Sequence, residues 1–303
     1  MKTGPIETTD YDPLVSVVVI TYNSAEYVVE TLDSILSQSY KNIELIVSDD
    51  SSLDETTGVV SRWIETHGSH FKRTELCVAK ENRGVSENCN QGLMLCRGEW
   101  VKLIAGDDIL ESNAIETYIK YVSENPNIKA VISDMNFFGE MTGLCPIDRR
   151  FGKLNAGKQL RHLLVNRSPN FGPSGFSHRI THLEIGGYDT TCRSIEDYPM
   201  ALRFAKNNIR IHHLEKPLVR YRMRTGSLSG SQESIDRAWA MYSQLGLPLM
   251  KERHLYLMLF HHHIDKFIYV NRMNFFLKYR FFQYILKSFD MYAWILFFRK
   301  RCG

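Results

Sequence analysis

The sequence predicts an α/β protein: a mostly parallel central sheet with helices on both faces, followed by a C-terminal helical extension. Three observations carry that prediction. Short apolar runs rich in β-branched residues alternate with amphipathic stretches over the first hundred residues. Strands joined through a helix run parallel, because the crossover is right-handed and packs back on the sheet. Each strand-like run also ends in a polar cluster, as expected where a parallel sheet delivers its loops to one edge.

In chain order, "LVSVVVI" (14–20) reads as a buried strand, since valine and isoleucine fit a pleated, covered surface. "SAEYVVETLDSILSQ" (24–38) sets Val28, Leu32, Ile35 and Leu36 at helical spacing. "IELIVS" (43–48) is the second strand, and a helix is expected from Leu53 to about Thr66. "ELCVA" (75–79), a helix over 85–96 and "WVKLIA" (100–105) complete the series.

The polar clusters are "TYN" (21–23), "DDSS" (49–52), "ENRG" (81–84) and "GDD" (106–108). Any one alone is an ordinary turn, because Asp, Asn, Ser and Gly favour turns. Four in phase, two with paired carboxylates, make a binding edge. Asp107 and Asp108 repel each other, so one protonates unless something cationic holds both ionised. The pair therefore either sits in water or meets a metal or basic ligand. No GxGxxG follows the first strand and no GxxxxGK[ST] occurs, which excludes the glycine-cradled nucleotide sites. A nucleotide can still be held there through a metal.

Composition is that of an ordinary globular chain: 303 residues, 44% hydrophobic and 23% charged. "MKTGPIETTDYDP" lacks the basic head and apolar run of a signal peptide, and the six cysteines show no CxxC or zinc spacing. A cytoplasmic chain with reduced thiols is the expectation. The net charge of +3 is uneven. Residues 251–303 carry ten Lys/Arg against Glu252, Asp265 and Asp290, a net of +7, so residues 1–250 carry 3 − 7 = −4. No nucleic-acid partner is implied by that balance.

The segments "VSVVVITYNSAEYVVETLDSILSQSYKNIELIVSDDSSLDET", "NRGVSENCNQGL" and "GEWVKLIAGDDIL" together resemble the family 2 glycosyltransferases of GT-A fold, over about residues 13–225. The resemblance implies an inverting transferase that moves a sugar from a nucleotide-diphosphate donor, UDP first among them, with Mg²⁺ or Mn²⁺ as cofactor. "GDD" is similar to that family's DxD-type motif. On this pattern Asp108 is the metal ligand and Asp107 hydrogen-bonds the ribose. Tyr22, beside Thr21 in the donor-binding set, matches the residue along the uracil ring, Asp50 matches the carboxylate that accepts from the base, and Arg83 matches the arginine beside it. A divalent cation held by one firm carboxylate and two phosphates suits the chemistry, because such ions keep waters and take few protein ligands.

Inversion by direct displacement needs a base for the acceptor hydroxyl. "SIEDYPMALRFA" (194–205) puts Glu196 and Asp197 at the start of an apolar-periodic helix, where acids also serve simply as caps. In the family an "ED" at this place, following a segment like "GGYD" (186–189), supplies the base. By that resemblance Asp197 is the base and Glu196 its positioning neighbour. "VRYRMRTGSLS" (219–229) resembles a "YRxHxxS" segment, with Arg224 in place of the histidine. Arginine cannot ligate a cation but pairs with phosphate oxygens, so here guanidinium takes over part of the metal's work. "NFGPSGFSHRITHLEIGGYD" (170–189) has the glycines and aromatics of an acceptor-binding segment, with His178 and His182 read as hydrogen-bonded structural residues.

The expected organisation is an N-terminal tail (1–12), a catalytic domain (13–230, with a nucleotide-binding half over 13–110 and an acceptor half over 111–230), and a basic, aromatic helical region (231–303). Fifteen aromatics fall within 255–298, yet Lys287 and Asp290 interrupt the most apolar run, so no transmembrane helix is expected. Two readings of this tail stand: an amphipathic helix on an anionic inner leaflet, or a bundle packed on the catalytic domain or on the second copy of a homodimer. Taken with the family resemblance, the membrane reading implies a peripheral enzyme that extends a glycan acceptor linked to undecaprenyl diphosphate, in O-antigen or capsule synthesis. A nucleotidylyltransferase is the rival enzyme, but it wants a glycine-rich basic loop where "TYNSAEY" stands. A non-catalytic binding module is the other rival, and it has no need of Asp107, Asp108 and Asp197.

Overall fold

The computed structural model describes residues 11–145, 148–166, 171–224, 232–253 and 255. The chain divides into two compact units, residues 1–246 and 247–303, and most of the second lies outside the described residues.

The first half follows the sequence pattern closely. It runs β1 (Val15–Thr21), α1 (Val28–Leu36), β2 (Ile43–Asp49), α2 (Thr56–His67), β3 (Arg73–Val78), α3 (Val85–Leu95) and β4 (Trp100–Ala105). Every residue of β1 and β2 is buried, as a strand covered on both faces requires. In α1 the residues Val28, Leu32 and Ile35 form the buried stripe. Truncating any such fully buried leucine or isoleucine to alanine costs about 2–5 kcal/mol. The second helix starts at Thr56 rather than Leu53, because residues 51–55 form a loop locked to the one after β1.

The second half contributes β5 (Ile109–Leu110), α4 (Ala114–Ser123), β6 (Ala130–Gly139), β7 (Gly143–Leu144), α5 (Ala156–Asn166), α6 (Phe171–Ser174), β8 (Gly175–His178), α7 (Arg179–Glu184), α8 (Asp197–Lys206), β9 (Ile211–Met223) and α9 (Gln232–Glu252). Among the described residues nine strands form one sheet, in the order β3-β2-β1-β4-β8-β6-β9-β5 with β7 on β6. Strands β1 to β4 pair in parallel, β8 opposes both β4 and β6, and β6 pairs β9 in parallel. Strands β1, β2, β3, β4, β6 and β9 therefore all point one way. The ring of Phe176 on β8 is stacked between Trp100 and Tyr118, at centroid distances of 5.1 and 4.8 Å, which joins the two halves of the core.

Two features of this sheet build an edge. In register, Thr21 lies opposite Asp49, Asp49 opposite Val78 and Ile20 opposite Ala105, so four carboxyl ends are level. Strand β5 then pairs β9 antiparallel at the far end of the strand order, although it starts only four residues after β4. Four residues reach at most about 14 Å. The sheet must curl until β9 faces the end of β4, with the Asp107–Asp108 turn between them.

Candidate active site

The loops after β1 and β2 are zipped together by side chains. Thr21 Oγ1 donates to Asp49 Oδ2 at 2.8 Å, and Asp49 accepts from the Ser52 N–H (2.8 Å) and hydroxyl (2.5 Å). Asn23, at φ +51°, donates its N–H to Ser52 Oγ and accepts from the Leu53 N–H, each at 2.8 Å. Tyr22 is left with 45% of its surface exposed, an aromatic side chain standing in solvent on the edge.

Asp50 is buried, and each of its oxygens accepts a main-chain N–H at 2.8 Å, one from Arg83 and one from Gly84. The same loop is gripped from its other side by the Arg193 guanidinium, which donates to the carbonyls of Arg83 (3.1 Å) and Asn82 (3.0 Å). A carboxylate thus takes the loop's N–H groups and a guanidinium takes its carbonyls. Gly84 is required there: its φ is +93°, and a Cβ would collide with the Arg193 carbonyl. Gly84→Ala is expected to cost about 1–3 kcal/mol of stability from the left-handed backbone alone, measured by denaturant unfolding. Asp50, Arg83, Lys80, Asn88 and Gln91 line an open cleft of about 560 Å³ beside this loop.

Gly106 lets the acidic turn approach β1, since a Cβ would press on Thr21 Cγ2, and its N–H donates to the Ile20 carbonyl at 2.9 Å. Asp108 is 1% exposed; Oδ1 accepts from the Arg222 N–H at 2.9 Å, and Oδ2 is buried without a partner. Burial first, and the neighbouring Asp107 second, push its carboxyl well above the usual carboxylate range. Arg222 Nε donates to the Asp107 carbonyl (2.8 Å) and Nη2 to Glu30 (2.7 Å). Its guanidinium lies 4.4 Å from the ring centroids of both Tyr27 and Phe138. Arg224 Nη2 reaches Asp107 Oδ2 at 3.3 Å.

Glu196 and Asp197 open α8, as the sequence placed them. Asp197 Oδ1 is shut off from solvent without a partner, while the carboxylate accepts from the Gly172 N–H. Burial raises both carboxyls; Glu196 is raised further by the charge of Asp197, and its hydrogen bond lowers Asp197. The two carboxyls therefore titrate as a coupled pair, both pushed upward by burial. The segment before them is tied to α3: Tyr188 and Asn90 exchange two hydrogen bonds (2.8 and 2.9 Å), Ser86 donates to the Cys192 carbonyl (2.6 Å), and Val85 to that of Arg193 (2.9 Å). Cys89 on α3 lies in the field of Glu196, Asp197 and Asp50 together. His178 and His182 are structural, bonded to Thr181 and Ser177.

Among the described residues no three His, Cys, Asp or Glu side chains gather as a protein-built metal cluster. The orphaned Asp108 Oδ2 next to Asp107 still fits a hard divalent cation that takes its other ligands from water and a bound diphosphate.

Residues 16–176 match the sequence model for glycosyl transferase family 2. The chain belongs to that family. This family 2 chain is 33% identical over 138 residues to glycosyltransferase GlyG of Streptococcus pneumoniae, covering 43% of the chain and 44% of GlyG. It is 28% identical over 255 residues to the putative glycosyltransferase EpsE of Bacillus subtilis, covering 78% and 84%. It spans less than half the length of the first curated relatives it matches. In fold it is similar to a crystal structure of S. aureus TarS with UDP-GlcNAc (TM-score 0.60, 19% identity, 75% of this chain and 64% of that one). It is likewise similar to the mannosyltransferase PcManGT of Pyrobaculum calidifontis with GDP-Man and Mn²⁺ (TM-score 0.57, 23% identity, 76% and 62%). These likenesses establish the GT-A architecture.

The structure gathers Thr21, Tyr22, Asp50, Arg83, Asp107, Asp108 and Arg224 along the edge formed by β1, β2, β4 and β9. Asp197 is joined to it through α3 and the loop at 187–193. Sequence reading of the family 2 chain passes over Lys102, Arg222, Arg193 and Gly172. Only Arg222 carries a signal, its place in the "YRMR" strand beside Arg224.

Proposed function

We infer that this chain is an inverting glycosyltransferase that moves a sugar from a nucleoside-diphosphate donor, UDP by preference, to a glycan acceptor. The observation that carries the reading is the acidic turn. A buried carboxylate with one unpartnered oxygen, beside a second carboxylate and two arginines, is costly to keep unless a cation and an anion arrive together. A metal–diphosphate is that pair. Family membership and the UDP-GlcNAc and GDP-Man/Mn²⁺ complexes of the two structural neighbours support the same donor class.

In the proposed mechanism Tyr22, Asp50 and Arg83 hold the nucleoside, and Asp107 meets the ribose. Arg224 exchanges Asp107 for phosphate oxygens. Asp108 would hold the divalent cation, whose chemistry is Lewis-acid neutralisation of the departing diphosphate. Asp197 takes the proton of the acceptor hydroxyl as its oxygen attacks the anomeric carbon. The bond from that carbon to the diphosphate oxygen breaks, and the nucleoside diphosphate leaves. A carboxyl raised toward the operating pH suits that role better than an ordinary one. A thermal-shift panel of nucleotide sugars with Mn²⁺ tests the reading; a ligand at about 100 times its dissociation constant adds about 2.7 kcal/mol. A flat panel, UDP-GlcNAc and GDP-Man included, sinks it.

Arg224→Gln removes a charge-assisted phosphate contact, so UDP affinity in Mn²⁺ should fall roughly tenfold or more. Unchanged affinity by calorimetry would show that Arg224 only screens Asp107.

The acceptor we infer is a lipid-linked oligosaccharide of O-antigen or capsule type, reached at the cytoplasmic face of the membrane. The basic, aromatic tail supports this, and residues 256–303 of it lie outside the described residues. Among the described residues no helix is long and apolar enough to cross a membrane. The full chain should sediment with vesicles containing anionic phospholipid at low salt and be partly released at high salt. A chain that ignores those vesicles ends the membrane reading.

A further inference from the structure

Lys102 is an ionisable side chain inside a buried strand. It lies on β4, six residues before Asp108, and is 0% exposed. Its Nζ donates to the carbonyls of Gly175 (3.1 Å), Leu103 (3.2 Å) and Pro173, and stands 5.8 Å from the Tyr118 ring centroid. Tyr118, from α4, donates its hydroxyl to the Ser174 carbonyl at 2.7 Å. The three successive carbonyls of Pro173, Ser174 and Gly175 are therefore all held from beneath by two core side chains.

The residue next along that shelf is Gly172. Its N–H donates to the Asp197 carboxylate, and it approaches so closely that a Cβ would collide with Asp197 Oδ1. The position of Asp197 is thus set by main chain, and that main chain by Lys102 and Tyr118. A hydrophobic residue of similar volume fills a core as well as a buried ion, often with a gain in stability. A buried lysine amine with three carbonyl acceptors therefore answers to the arrangement it fixes. Burial lowers the Lys102 amine to about 7 and Asp108 opposes that shift, so this amine is linked both to the acidic turn and to the shelf under Asp197.

We propose that Lys102 is a positioning residue for Asp197, acting through the Pro173–Gly175 main chain and the Gly172 N–H. Its functional meaning rests on the reading of Asp197 as the base. Its structural content does not.

The test follows the Asp197 carboxylate by carbon-13 NMR titration of the full chain, the resonance being assigned by its loss in Asp197→Asn. The titratable groups facing it are Glu196 beside it, Cys89 from α3 and Tyr188 from the loop at 187–193. Lys102→Met keeps the length of the side chain and removes the donor. With the Gly172 N–H released, the Asp197 midpoint should rise by about one pH unit, because a hydrogen bond to the charged form is lost. Tyr118→Phe should move it in the same direction by less. UDP affinity in Mn²⁺ should stay within about threefold of wild type in both, since the shelf is apart from the nucleotide loops. An unmoved midpoint in both variants overturns the proposal, as does a loss of Mn²⁺–UDP binding equal to that of the acidic-turn variants. If Lys102→Met does not fold, Tyr118→Phe decides by the same criterion. An Asp197→Asn chain that still transfers sugar at the wild-type rate removes the base assignment while leaving the titration result standing, so the two failures are distinct.

Discussion

Asp108→Asn is expected to raise the melting temperature of the free chain at neutral pH while abolishing the cation's contribution to UDP binding. Asparagine keeps an oxygen for the Arg222 N–H but has no charge to bury. The sign follows from the raised carboxyl. Between the ordinary carboxylate range and the raised one, the folded chain holds a proton that the unfolded chain has lost, so wild-type stability falls as pH rises through that window. The slope is at most about 1.4 kcal/mol per pH unit. The asparagine side chain cannot titrate, so in calorimetric scans the variant's advantage should vanish in the ordinary carboxylate range and grow as pH rises above it. Added Mn²⁺ and UDP should then stabilise the wild type more than the variant. Equal stabilisation of both chains contradicts the metal assignment.

Asp197→Asn should slow transfer by roughly 10²–10⁴, the usual loss for a removed general base. Asparagine can still accept from the Gly172 N–H, so the shelf and the fold should stay as they are. UDP affinity in Mn²⁺ should be unchanged, because the base acts on the acceptor. In the wild type, activity should fall on the acid side at a higher pH than an ordinary aspartate would give, since burial raises this carboxyl. If nucleotide affinity collapses instead, Asp197 belongs to the donor site and the assignment of roles is wrong.

The parts of this molecule that are legible in its sequence are those with local signatures. Strands β1 to β4 are apolar runs closed by turn residues, and the register that levels Thr21, Asp49 and Ala105 follows from the parallel crossovers. The acidic turn and the Glu196–Asp197 pair are visible as charges where a loop and a helix start must be. The pairing of Ile109 with Arg220 has no such signature, because it joins residues more than a hundred apart through two strand residues. Lys102 is hidden for a related reason: within "WVKLIA" a single lysine reads as one polar interruption, and its carbonyl partners lie some seventy residues on. The motif around Asp50 suggests a contact to a base. The structure shows both its oxygens already engaged by the main chain of Arg83 and Gly84, so any nucleobase would be a third donor to a carboxylate with about four acceptor sites. Arg224 draws attention by replacing a family histidine, whereas the stack of Arg222 between Tyr27 and Phe138 depends on three distant elements meeting.

The central claim is that the edge at Asp107–Asp108 receives a nucleoside diphosphate together with a divalent cation. Calorimetric titration of UDP into the full chain, once in Mn²⁺ and once in chelator, tests it most directly. One-to-one binding in Mn²⁺ is expected, with affinity at least about tenfold weaker but still measurable in chelator, where Arg224 and Arg83 act without the metal. No binding in either buffer, or equal affinity in both, contradicts the claim.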